Sequence, residues 1–176
     1  MTIVLTQPSY QELEEALEQG DWQTADRITF ELMLDAANRG EEEWLNQDAI
    51  ARFPCEVLHQ LDQRWLRYSG NHFGFSAQLQ IYIAEANRAA FAFSRKVDWT
   101  WSLATSRPLG FFKFYDRLTF SLEEAPQGHL PALWFWEMPW YVSYRMGGFG
   151  TGRGAAFGDA SLFDSLMLRL ERCQRI

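Results

Sequence analysis

The chain has 176 residues, of which 47% are hydrophobic and 16% aromatic, and it carries a formal net charge of −7. This length suffices for one domain with its own hydrophobic core, so we expect a single domain over residues 1–176. The acidic balance argues against a nucleic-acid partner, and the lack of a long apolar run or a signal peptide argues against an integral membrane or secreted protein and predicts a cytoplasmic one.

Charge is distributed unevenly along the chain. Residues 1–64 hold fourteen Asp and Glu against four Arg, whereas the remainder holds nine acidic residues against twelve cations. We expect the acidic N-terminal part to face solvent or a basic partner. Cys55 and Cys173 are the only cysteines and form no CxxC pair, so we expect free, reduced thiols, with neither a zinc site nor a disulfide framework.

Hydrophobic periodicity of three to four residues predicts an all-α fold. The first two helices should form a hairpin, because Gly20 ends the first and Asp21 can cap the second. The predicted helices cover Tyr10–Gln19, Trp22 to Gly40, Ala49–Ala51, Cys55–Tyr68, Phe75–Ala86 and Leu162–Leu170. Only Phe111 to Thr119 shows a weak alternation of period two.

The stretch RYSGNHFGFSAQ, residues 67–78, places two phenylalanines around a glycine where a helix should begin. Ser69-Gly70-Asn71 predicts a turn, after which Phe73-Gly74-Phe75 enters the next helix. Two interpretations are open. The rings line the floor of a cup, with Gly74 leaving room for a flat ligand or a neighbouring backbone, or they pack the core at a tight helix junction.

Aromatic residues crowd the second half of the chain. The stretch PALWFWEMPWYVSYRMGGF, residues 131–149, contains seven aromatics and two charged residues, and a glycine-rich run follows over residues 147–158. A long segment without periodicity inside a compact domain is typical of a functional or mobile loop. We therefore expect aromatic and glycine-rich loops near the C-terminus, with the glycine-rich loop closing over a ligand.

Several weaker patterns favour structural interpretations. A haem-ligand role for His59, His72 or His129 is open, but a lone histidine is more often structural, and His129 in GHLP should organise a turn. Residues 150–155 match GxGxxA without a preceding strand, which makes a nucleotide site unconvincing. No nucleophile, base and orienting carboxylate form a set, so we predict neither a catalytic nor a metal site.

A set of short motifs occurs in a fixed order along the chain: FPC, LDxxW, YSxxxFGFSxQ, FYDRLTF, GHLP and a C-terminal RLERC. With these motifs the chain resembles, over residues 10–173, the "genomes uncoupled" family of porphyrin-binding regulators of magnesium chelatase. The resemblance implies a cupped helical core without the separate N-terminal bundle of some members. It also implies a non-catalytic protein that requires no cofactor and binds protoporphyrin IX or Mg-protoporphyrin IX.

The implied partner is the large porphyrin-binding subunit of magnesium chelatase, in chlorophyll synthesis of an oxygenic phototroph, with peripheral membrane association as a further expectation. Ligand contact is expected from apolar and aromatic side chains and from two arginines that hold the propionates. The predicted ligand-binding residues are Ile50, Leu66, Phe73, Phe75, Trp134, Trp136, Trp140, Tyr141, Arg145 and Arg153.

Three functions remain open at this point. The first is a tetrapyrrole-binding regulatory module. The second is a divergent paralogue that acts as a helical protein-interaction adaptor or binds another tetrapyrrole, such as haem or a bilin. The third is an enzyme that acts on a tetrapyrrole. All three use the aromatic second half of the chain, and they differ in whether pigment binds and whether it is changed.

Overall fold

A computed structural model describes residues 9–101, 112–139, 141–142 and 160–174, and these form a helical fold. No strand occurs in these ranges, where an isolated antiparallel bridge joins Thr100 and Phe112 and a 3-10 turn covers Tyr115–Arg117. The all-α prediction is confirmed. The helices are α1 (Tyr10–Glu18), α2 (Trp22–Ala36), α3 (Gln47–Ala51), α4 (Cys55–Ser69), α5 (Phe75–Ala84), α6 (Ala90–Lys96), α7 (Leu133–Trp136) and α8 (Ala160–Gln174).

Local side-chain bonds fix where the first helices begin. Ser9 and Glu12 form a reciprocal capping box at α1, and Asp21 accepts a hydrogen bond from the Thr24 amide at α2. At the other end of the next long helix, α4 terminates in Gly70 at φ 62°, a left-handed conformation that glycine adopts without strain. The predicted packing of α1 against α2 is confirmed.

Helix α6 was not predicted from periodicity, although it has a helical pattern of buried residues. Ala90 and Phe93 are buried on its inner face, and Val97 follows four residues later. The helix has only seven residues and no side-chain cap at its N-terminus. So short a segment is stabilised by packing rather than by intrinsic propensity, which explains why the local sequence does not reveal it.

The centre of the core is a group of rings around Phe163 of α8, which we call the Phe163 cluster. Phe163 stacks on Phe93 at 4.4 Å between centroids and meets Trp99 edge-on at 5.7 Å. Such pairs add to the stabilisation from area burial. Because α8 also packs against α3, α5 and α6, this cluster joins the C-terminal helix to the middle of the chain. Its other members are Tyr82, Trp134 and Phe135.

The expectation of two free thiols is wrong. Cys55 and Cys173 form a disulfide with an S–S distance of 2.05 Å and a Cα–Cα distance of 5.3 Å. Cys55 is the first residue of α4 and Cys173 lies in the last turn of α8. Their separation of 118 residues carries no local signal, because only the packing of α8 brings its C-terminal end beside the start of α4.

Candidate functional site

Gly74 is required at the entry of α5 because a carboxylate, and not a ligand, occupies the space beside it. Its φ is +133°, and a Cβ at this position would lie 2.9 Å from Oδ1 of Asp62 and 3.2 Å from the side chain of Leu66. Asp62 accepts hydrogen bonds from the Ser76 amide at 2.8 Å and the Ser76 hydroxyl at 2.5 Å. Asp62 therefore caps α5 from α4, where Gly74 itself offers no side chain.

The two phenylalanines beside Gly74 are core residues. Phe73 and Phe75 are fully buried, and Phe73 meets Trp22 edge-on at 5.3 Å and Trp65 at 6.3 Å. Of the two open interpretations, the geometry supports packing at a tight helix junction. Contact between these rings and a ligand would require the core to open.

Helix α7 buries its two tryptophans in the same way, but the two indoles are bonded differently. Trp134 and Trp136 are both fully buried. The Trp136 indole N–H donates to the carbonyl oxygen of Lys113 at 3.0 Å, whereas the indole N–H of Trp134 has no hydrogen-bond partner. Trp136 thereby ties α7 to the segment that follows the isolated bridge, while Trp134 contributes only ring packing, against Phe163.

A buried carboxylate on α2 positions α7. Asp26 accepts hydrogen bonds from the amides of Ala132 and Leu133 at 2.9 to 3.2 Å and from the hydroxyl of Tyr115 at 2.9 Å. Burial raises the pKa of Asp26 to about 6, against the opposing effect of these three donors. Burial and the adjacent carboxylate raise the pKa of Tyr115, so its hydroxyl remains the donor.

His129 of the GHLP motif joins three segments of backbone. Its Nε2 accepts from the Thr119 amide at 3.1 Å, so Nδ1 carries the hydrogen that faces the carbonyl oxygen of Val97. Its own carbonyl accepts from the Trp99 indole N–H at 2.8 Å. Burial lowers the pKa of His129. Both ring nitrogens are engaged, so this histidine serves the turn that precedes α7 and is not positioned as a haem ligand.

The other two histidines also face backbone carbonyls. Nε2 of His72 lies 2.8 Å from the carbonyl oxygen of Ala125, and Nε2 of His59 lies 3.3 Å from that of Cys173. Neither ring is paired with a nucleophile. Among the described residues, no three His, Cys, Asp or Glu side chains are grouped so that they could hold a metal ion.

Two tryptophan rings that are not fully buried each lie beside a cation. Lys113 lies over the ring of Trp101 at 5.4 Å and forms an ion pair with Asp98 at 2.6 Å. Arg39 lies over the ring of Trp44, also at 5.4 Å. Trp101 is 46% exposed and Trp44 half-buried.

The last residue of α7 is bonded to the first of these pairs, because the Trp136 indole N–H donates to the carbonyl oxygen of Lys113. Burial and the charge of Glu43 raise the pKa of Glu137, the residue that follows α7. Phe114 and Tyr141 are further exposed rings, at 52% and 50%. We use the name aromatic edge for these four partly exposed rings and the two cations beside them, Arg39, Trp44, Trp101, Lys113, Phe114 and Tyr141.

The predicted ligand-binding residues therefore separate into three groups. Tyr141 belongs to the aromatic edge, and Leu66 is partly buried against Gly74. The fully buried group, which lies behind the edge or elsewhere in the core, consists of Ile50, Phe73, Phe75, Trp134 and Trp136. Trp140, Arg145 and Arg153 lie outside the described residues, as does the glycine-rich run at 147–158.

Sequence reasoning missed most of the aromatic edge. Arg39 lies where the second helix was expected to end and carries no further local signal, whereas a lysine between Phe112 and Phe114 is a usable signal, because the chain contains only two lysines. Trp44 and Trp101 carry no such signal, because a tryptophan is more often core than surface. Their exposure depends on which neighbours pack against them.

The arrangement suits a planar apolar ligand with acidic groups. Exposed rings offer flat faces, and Lys113 and Arg39 lie beside two of them, each also in an ion pair, with Asp98 at 2.6 Å and with Glu42 at 3.2 Å. Ser76 donates its hydroxyl to Asp62 and not to a histidine, so the closest approach to a catalytic set is a helix cap. None of the helices in the described ranges has the length and apolar character needed to span a bilayer.

A search of family models matches the GUN4-like family over residues 5–146. Among curated proteins, a Ycf53-like protein of Synechocystis sp. is 34% identical over 127 residues, and an uncharacterized protein ycf53 of Porphyra purpurea is 31% identical over 128 residues. These alignments cover 70% and 71% of this chain, and the chain spans about half the length of the two relatives, 51% and 50%.

Solved structures show the same fold. The ligand-free structure of Arabidopsis thaliana GUN4 matches 97% of this chain and 94% of its own, with a TM-score of 0.62 and 20% identity. GUN4 from Chlamydomonas reinhardtii matches 97% and 95%, with a TM-score of 0.64 and 19% identity. At 19–20% sequence identity, these two matches show a shared fold and nothing further.

Proposed function

The chain belongs to the GUN4-like family, and we propose that it is a non-catalytic regulator that binds a tetrapyrrole at the aromatic edge. Family membership over residues 5–146 is the observation that carries this proposal. The exposed rings and the cations beside them support its location, because a tetrapyrrole is a flat apolar plate with carboxylates at its rim.

The energetics show why the cations matter. Burial of a few hundred Å² of a porphyrin contributes on the order of 10 kcal/mol at about 25 cal/mol per Å², while association costs roughly 4–15 kcal/mol. Ring contact alone therefore gives weak binding. A charge-assisted hydrogen bond to a propionate contributes about 1.5–3 kcal/mol, which corresponds to about a tenfold to hundredfold gain in affinity. We assign this role to Lys113 and Arg39, together with Arg145 and Arg153.

The finer proposal concerns ligand and partner. The ligand is protoporphyrin IX or Mg-protoporphyrin IX, no further cofactor is required, and the bound form stimulates magnesium chelatase through its large porphyrin-binding subunit. This function belongs to chlorophyll synthesis in an oxygenic phototroph. Peripheral membrane association stays a prediction of the same resemblance.

Titration of the purified chain with deuteroporphyrin and its magnesium derivative, followed by the Soret band, tests the proposal. Trp101→Ala and Trp44→Ala should each weaken binding severalfold, because each removes an exposed ring with its cation contact. Tyr10→Ala is the matched control, since Arg64 covers that ring at 4.5 Å on α1, away from α7. No saturable change at tens of micromolar porphyrin would reject the proposal.

Ligand chemistry can be tested separately. Lys113→Met should weaken binding of the dicarboxylate about tenfold or more and leave the dimethyl ester little changed. Equal losses for both ligands would exclude propionate recognition by Lys113. Haem and biliverdin serve as alternative probes, and preferential binding of either one would assign the site to another tetrapyrrole.

One observation favours a second candidate, a protein-interaction adaptor. The five fully buried residues of the predicted site offer no surface to a pigment in this structure, which leaves exposed rings that a partner protein could cover. Saturable binding of the purified large chelatase subunit with no porphyrin binding would support the adaptor. Loss of subunit binding when porphyrin is removed would support the tetrapyrrole regulator.

A further inference from the structure

The Cys55–Cys173 disulfide joins two helix ends that few other bonds connect. The hydrogen bonds that connect the second half of α8 to residues 53–59 are the one from Arg169 Nε to the carbonyl oxygen of Phe53, at 2.7 Å, and the contact of His59 Nε2 with the carbonyl oxygen of Cys173, at 3.3 Å. The disulfide is the only covalent link between these ends. It thus adds a covalent link to the packing and the two polar contacts that hold the end of α8.

The two sulfurs have different environments. Cys55 is half-buried at the first position of α4, whose N-cap Pro54 provides no side-chain hydrogen bond, and Cys173 is 4% exposed. A thiolate at a helix N-terminus is stabilised by the free amides and the helix dipole. His59, one turn further along α4, lies on the same helix face as Cys55. A reductant can therefore reach the sulfur of Cys55, and the Cys55 thiolate is stabilised after reduction.

A small cavity next to Cys173 weakens the packing around the bond. It has a volume of about 20 Å³, enough for about one water molecule, and is lined on the α8 side by Leu170, Cys173 and Gln174. Partly exposed disulfides are generally the more reducible ones. The cavity gives the last turn of α8 room to move when the covalent link opens.

From this geometry we propose that Cys55–Cys173 is a reversible redox site, opened by a dithiol reductant, and that opening releases the last turns of α8 from the start of α4. A thiolate of the dithiol attacks Sγ of Cys55, the Cys55–Cys173 bond breaks, and Cys173 leaves as a thiolate and takes up a proton. The second thiol of the reductant then displaces Cys55. The reductant ends as a disulfide, and the protein gains two electrons and two protons as two thiols.

Opening of the bond should loosen the C-terminal end of α8 and leave the Phe163 cluster packed. Release removes the covalent link between α8 and α4, while Phe163, six residues before Arg169, maintains contact with Phe93 and Trp99. An effect on pigment affinity rests on the function proposed above. The release of α8 does not.

The test uses the full chain, oxidised with diamide and then treated with dithiothreitol without denaturant. Two thiols should become reactive to a maleimide mass tag, amide exchange over residues 169–174 should accelerate while that of α2 stays unchanged, and the Tm should fall by about 10–20 °C, as expected when a loop of this length is freed. If thiols react with the maleimide tag only after denaturation, the disulfide is not reducible in the folded protein, and the proposal is overturned. Reduction without faster exchange in α8, or a chain that diamide does not oxidise, would also overturn it.

Variants without the disulfide distinguish the effect of breaking the bond from other effects of dithiothreitol on the protein. Cys173→Ser and Cys55→Ser should each reproduce the exchange pattern of the reduced chain and no longer respond to dithiothreitol. If either variant fails to fold, wild-type protein reduced and alkylated with iodoacetamide gives the same comparison. Deuteroporphyrin titration of both redox forms is a separate readout: if neither form binds, the proposed function fails, while the exchange data still decide the redox proposal.

Discussion

Replacing Asp26 by asparagine should remove a pH dependence of folding stability that this one carboxyl group causes. Asp26 is buried and its pKa is raised from 3.8 to about 6. Between these values the folded state binds the proton more tightly than the unfolded state, so the stabilisation is full below pH 3.8 and is lost as the pH rises through 6. At 1.36 kcal/mol per pH unit, the loss amounts to about 3 kcal/mol.

Hydrogen bonds in the structure explain why the Asp26 carboxyl group can be buried. Two backbone amides and the Tyr115 hydroxyl donate to the carboxylate and hold the start of α7. An asparagine of the same shape keeps an acceptor oxygen for the amides of Ala132 and Leu133 but does not titrate. The free energy of unfolding of wild type minus that of Asp26→Asn should therefore fall by about 3 kcal/mol between pH 3 and pH 8.

Urea denaturation at half-unit pH intervals measures this difference directly. Because both proteins contain His129, its opposite pH dependence cancels in the subtraction. Asp35→Asn, an exposed position on the same helix, is the matched control and should give a profile parallel to wild type. Parallel profiles for Asp26→Asn, or a difference that grows with pH, would refute the interpretation of Asp26 as a buried group that folding favours in its neutral form.

Three further predictions concern stability. Gly74→Ala should destabilise the chain by about 2–3 kcal/mol through a strained φ and a clash at 2.9 Å, whereas Gly40→Ala, with open space around it, should be near neutral in the same denaturation assay. Trp136→Phe should cost about 1 kcal/mol more than Trp134→Phe, because only Trp136 loses a hydrogen bond, and equal costs would contradict the assigned bonding. Burial lowers the pKa of His129, so the stability that this residue contributes should be lost as the pH falls below about 6.5; the Tm of wild type minus that of His129→Gln should therefore decrease from pH 7 to pH 5, because the opposite contribution of Asp26 is common to both proteins and cancels.

The candidate site was only partly predictable. Of the predicted ligand-binding residues in the aromatic second half of the chain, Tyr141 is exposed, and its role in binding stays a prediction. Trp134 and Trp136 come from the same stretch, yet both point inward, since α7 is held against α2 by Asp26. A helix of four residues has no periodicity from which its buried face could be determined.

The sequence alone determined the helical fold, its first helix boundaries and the family. Capping residues such as Ser9 and Asp21 and the apolar spacing of α2 and α4 act within a few residues, so they can be recognised without knowledge of the rest of the chain. The tertiary structure alone decided that Cys55 meets Cys173 and that Trp101 stays exposed while Phe73 is covered. These outcomes depend on contacts between residues far apart in the chain, whose formation depends on how whole helices pack.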